Sequence, residues 1–183
     1  QMHSLTASGG SDKVKYFAGF GYVKQDALYG DTRTNKSTSG FNRYNARVNI
    51  DANIVDKYLN LSADMAYRQE DRNSIAGSTS DVFNNMHRNP QTDPGRFPDG
   101  NLGKVSLGVN PIGLATEGGW VKDRKSVLNT RFMLDFNVPG LEGLNLKGIF
   151  SYDKIFNSIK RWTTPVDFYV WNKITGEYDG HSP

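Results

Sequence analysis

Five features of this sequence could do chemistry, and residue spacing decides whether they do. The three histidines, His3, His87 and His181, stand far apart. None sits in a ligand-spaced pair, so a metal site is not expected and surface or loop positions are. Residues 9–13, GGSDK, form a glycine-rich turn without phosphate-loop spacing. Gly19-Phe20-Gly21 lies in a strand that no helix follows, so it is not a dinucleotide fingerprint. Residues 89–103, NPQTDPGRFPDGNLG, superficially look like a calcium loop through Asp93 and Asp99. They lack the alternating Asp/Asn ligands and the closing Glu. Asp51 and Asp64 could face each other as a glycosidase pair would, but neighbouring charges on one strand face account for them more simply. No nucleophile elbow or triad order occurs. An enzyme is the least expected reading, and no cofactor is expected.

The elements that position these residues are strands. From Tyr44 to Tyr67 the chain alternates: Tyr44, Ala46, Val48, Ile50, Ala52 and Ile54, then Leu59, Leu61, Ala63, Met65 and Tyr67 are apolar or aromatic. The residues between are mostly Asn, Asp, Arg and Ser. A period of two is the signature of a strand with two different faces. Three hairpins are expected. The first pairs residues 3–8 with 13–24 around Gly9-Gly10-Ser11-Asp12, setting Leu5 opposite Tyr16. The second turns at Asp56-Lys57 and sets Ile50 opposite Ala63. The third pairs residues 127–138 with 144–153 around 139–143. It sets Phe132 opposite Phe150, and Asp135 opposite Lys147 as an opposite-charge pair.

Composition narrows the class. The chain has 183 residues, 37% hydrophobic and 12% aromatic, with 19 glycines and no cysteine. A disulfide scaffold is excluded. The net charge of +3 comes from interspersed charges, which does not suggest nucleic acid. No apolar run approaches the ~20 residues of a membrane helix, but barrel strands carry only half their residues on the lipid side. The opening QMHSLTAS has neither the basic nor the apolar region of a signal peptide.

Turns within hairpins are short, while the connections between them are long: residues 24–43, then 69–126, then everything past 154. Short turns on one rim and long loops on the other is the layout of an outer-membrane barrel. With the long loops outside, Tyr22, Tyr44, Tyr67 and Tyr152 fall near the outer strand ends, as an aromatic girdle does. Val48, Ile50, Leu61, Met65, Phe132 and Leu134 are the expected lipid-facing residues. Arg47, Asp51, Asp64, Arg68, Arg131, Asp135 and Lys147, with Lys15 and Asp153, are expected to line a lumen or face a plug.

Several segments resemble the barrel of SusC/RagA-type TonB-dependent outer-membrane transporters. Residues 3–28, HSLTASGGSDKVKYFAGFGYVKQDAL, resemble that family's S-x-S-G-G-(S/T)-x-K-x-x-Y hairpin and its G-Y-x-x-Q-x-G ending. FNRYNARVNIDANI (41–54) resembles its R-Y-N-x-R-x-N-I-D strand. RNPQTDPGRFPDGN (88–101) and GVNPIGLA (108–115) resemble its P…DG…NP long loop. DFYVWNKITGEYDG (167–180) resembles a small loop hairpin with Thr175-Gly176 in the turn. One departure is Asp26-Ala27-Leu28, where the family usually has a glycine.

The resemblance implies an all-β fold: about six strands of a barrel of about 22, with a long extracellular loop over 70–125 and a loop hairpin over 165–180. The plug domain and signal peptide of that family are not seen here, so an internal barrel segment is expected. The implied function is import of a bulky nutrient, an oligosaccharide or peptide, across a bacterial outer membrane. The implied partners are a SusD-like surface lipoprotein, TonB acting through the N-terminal part, and membrane lipid. Two other readings stay open: a passive porin-type barrel, and a soluble or cell-surface β-rich carbohydrate-binding module.

Overall fold

The computed structural model describes residues 1–27, 39–141 and 143–181. Leu28 of the departing turn, Glu142 of the third turn and the side chain of His181 lie outside the described residues, as do residues 29–38 of the first long connection.

The alternating segments form strands. β1 (Met2–Gly10), β2 (Val14–Asp26), β3 (Gly40–Val55), β4 (Leu59–Ile75), β5 (Gly119–Asn137) and β6 (Asn145–Thr163) pair in chain order as one six-stranded sheet. Helices α1 (Thr79–Arg88) and α2 (Pro111–Thr116) lie between β4 and β5. β7 (Phe168–Asn172) pairs antiparallel with β8 (Glu177–His181) as a separate small sheet. The fold is mostly antiparallel β.

The hairpin turns follow from local chemistry. At Asp56-Lys57 the Tyr58 N–H donates to the Val55 carbonyl at 2.9 Å, and Lys57 takes a φ of 68°. This is the two-residue turn the alternation predicts. In the third hairpin the Val138 N–H donates to Leu144 O at 3.1 Å, and the Phe132 and Phe150 rings stack 6.5 Å apart. In the loop hairpin, Asn172 Oδ1 accepts from Ile174 N at 2.9 Å, and Gly176 closes the turn with a φ of 71°.

Three expectations need correction. The first hairpin is out by four residues: Leu5 pairs with Phe20 and Ala7 with Ala18, while Gly9 and Gly10 belong to β1. The turn is made further on, where Ser11 N donates to Val14 O at 2.7 Å and the Ser11 hydroxyl accepts from Lys13 N and Val14 N. A serine hydroxyl that accepts nearby backbone N–H groups stabilises a turn that glycines alone do not locate.

Second, the strands run past their expected ends. β4 reaches Ile75, β5 starts at Gly119 and β6 continues to Thr163. A ladder needs only backbone groups, so a polar run such as Gln69-Glu70-Asp71 continues a strand without difficulty. The Arg124 guanidinium meets the Asp71 carboxylate at 2.6 Å there. The long connection shrinks accordingly to residues 76–118.

Third, that connection is not irregular throughout, since it holds both helices. Each has a side-chain cap. Ser78 Oγ accepts from Ser80 N, and Asn110 Oδ1 accepts from Ile112 N with Pro111 at the first helical position.

The chain divides into two compact units. The first holds residues 1–25, 41–71 and 123–158; the second holds 26–40, 72–122 and 159–183. Every buried hydrophobic residue among those described belongs to the second unit. Ile75, Val82 and Ala115 form one cluster, and Leu102, Val166 and Phe168 form another. Asn110, also buried, donates to the carbonyls of Gly95 and Gly103 at 2.6 and 2.7 Å. A side chain at Gly103 would place its Cβ about 2.0 Å from Pro94 O, so this loop is packed backbone against backbone.

Candidate functional site: a sheet with two unlike faces

The first unit is a sheet whose sides differ in chemistry. Opposed residues on adjacent strands share a side, so alternation in sequence becomes segregation in space. Val48, Ile50, Met65, Phe132 and Leu134 are all exposed, Ile50 to 41%, and Leu61 is half-buried. No side chain of this apolar set is buried.

The four tyrosines divide. Tyr22 and Tyr44 come together with ring centroids 5.1 Å apart, and His3 stacks on Tyr22 at 6.3 Å. The Tyr22 hydroxyl donates to Asn42 Oδ1. Tyr67 instead donates to Gln69 Oε1 at 3.0 Å, and the Ser126 hydroxyl lies 3.2 Å from the same phenol oxygen. Tyr44, Tyr67 and Tyr152 are exposed.

On the opposite side the charges are organised across strands. Asp64 accepts from Asn49 Nδ2 at 2.7 Å through one oxygen. Its other oxygen accepts from Arg131 Nη2 at 2.6 Å and Nε at 3.1 Å. Arg47 Nε donates to Asn49 Oδ1 at 3.2 Å, and Asn129 Nδ2 donates to Asp153 Oδ1 at 2.8 Å. Arg47, Asp64, Asn129, Arg131, Ser151 and Asp153 line a depression of about 330 Å³. A second depression of about 300 Å³ holds Asp51 with Lys15, Asn53, Asn60 and Ser62. Asp51 and Asp64 therefore line separate depressions. Arg68 pairs with Glu70, two residues along its own strand, at 3.5 Å.

The expected Asp135–Lys147 pair is not made. Asp135 accepts from Asn145 Nδ2 instead, and Asn145 also donates to Asn137 at 2.9 Å. A short amide held by its own strand meets the carboxylate at less entropic cost than a long lysine stem that water solvates. The asparagines 49, 129 and 145 thus do more than the sequence reading assigned them. Their signal was present in the alternation, since all three occupy polar-face positions.

Asp93 and Asp99 serve the loop that contains them. Asp93 accepts from the Ser106 N–H and hydroxyl at 2.6 and 2.8 Å. Asp99 accepts from the Asn101 N–H and amide at 3.0 and 2.8 Å. Among the described residues no three His, Cys, Asp or Glu side chains group as a metal site would need. Near Asp99, the Tyr178 ring packs between Phe97 and Trp171 at 5.0 and 4.8 Å. Burial pushes the Tyr178 hydroxyl above its ordinary pKa, and the neighbouring Asp99 carboxylate raises it further.

This arrangement can hold water, ions or a polar chain against one side and an apolar medium against the other. Compared with known proteins, the chain matches no family model and no curated sequence. No helix among the described residues is long and apolar enough to cross a membrane, which does not bear on crossing by strands.

Proposed function

We propose that this chain is a segment of an outer-membrane β-barrel of the TonB-dependent SusC/RagA transporter type. One observation carries the reading. The first unit presents a row of large apolar side chains, from Val48 and Ile50 to Phe132 and Leu134, that nothing buries. A sheet built for water covers such a face with a second layer, whereas a barrel strand offers it to lipid. Strand length agrees: β5 and β6 have 19 residues each, against roughly 9–11 needed to cross the hydrocarbon.

In this reading the segment contributes about six of about 22 strands. Its polar side, with Arg47, Asp51, Asp64 and Arg131, lines the lumen or grips a plug. The connection over 76–118 and the β7–β8 hairpin face outward, where a SusD-like lipoprotein or the substrate meets them. The whole protein imports a bulky nutrient, an oligosaccharide or peptide, with energy from TonB, and catalyses no covalent chemistry.

Paired substitutions in the intact protein test this. Ile50→Arg puts a charge on the lipid side and costs about 2–4 kcal/mol near the bilayer midplane. Asn49→Arg faces the Asp64 carboxylate and is mild. A heat-modifiability assay should show loss of the folded barrel for the first and not the second. Equal behaviour would overturn the assignment of faces.

A further inference from the structure

We draw no further inference here: the strongest candidate, the exposed isoleucines Ile149, Ile155 and Ile159 among the polar residues on one side of β6, is an unpartnered apolar face, and nothing in the structure shows what covers it.

Discussion

In the second unit Leu102 is 2% exposed against Val166 and Phe168, whereas in the first unit Phe132 stacks on Phe150 with both rings still open to the surroundings. The residue types are the same, and what differs is what surrounds them. Burial of aliphatic and aromatic groups stabilises the second unit as it does any fold in water. The apolar side chains of the first unit gain nothing comparable from their own chain. On the proposed reading, an apolar medium placed against them supplies what the chain does not.

The sharpest way to break this contrast is a truncation in each unit. Leu102→Ala should cost about 2–5 kcal/mol, the range for emptying a packed aliphatic site. Hydrogen exchange in mild detergent should show second-unit amides losing protection. Leu134→Ala in the same detergent should leave those amides unchanged. If Leu134→Ala deprotected the second unit as strongly, the two would not be stabilised differently.

Next in size is Asn110→Ala. It leaves the Gly95 and Gly103 carbonyls without their amide donor and uncaps α2, each loss costing about 1 kcal/mol or more. Chemical denaturation followed by Trp fluorescence reads the loss. A neutral result would mean that water replaces the amide and that the loop is not dry.

A smaller effect is expected on the polar side of the first unit. The Arg131–Asp64 pair is part-exposed, 58% and 29% by side chain, and pairs of this kind contribute about 0–1 kcal/mol. A double-mutant cycle with Arg131→Ala and Asp64→Ala should return a coupling in that range. A coupling above about 2 kcal/mol would mean that this side is sealed from water.

The smallest change concerns Tyr178. Burial and the Asp99 charge both disfavour tyrosinate, so the hydroxyl titrates above its ordinary value of about 10. Because the folded pKa is raised, the linked stability is complete below the unfolded value and fades as pH climbs through the folded one. Asp99→Asn should move the ultraviolet titration midpoint back toward the ordinary value. An unchanged midpoint would leave burial as the whole cause.

Most of the sheet was legible because a period of two states strand, face and turn together. Ile50 and Asn49 were separable by position alone. The misplacement in the first hairpin has a physical reason. A slip of four residues keeps every side chain on its own side, so Leu5 opposite Tyr16 and Leu5 opposite Phe20 satisfy the alternation equally. Only the hydrogen bonds of Ser11 distinguish them. The second helix, α2, was missed because it has six residues, too few for a period of 3.6 to register. Its cap was written in Asn110-Pro111 all the same. The Asp135–Asn145 contact depends on side-chain reach across strands, which spacing does not encode.

The central claim is that even positions along β3 meet hydrocarbon while odd ones meet water or protein. Nitroxide labels placed singly from position 47 to 54, in the protein inserted in lipid bilayers, measure this directly. Oxygen accessibility should peak at the even positions 48, 50, 52 and 54, falling at each odd position between. Equal accessibility to a water-soluble nickel complex at even and odd positions would contradict the account.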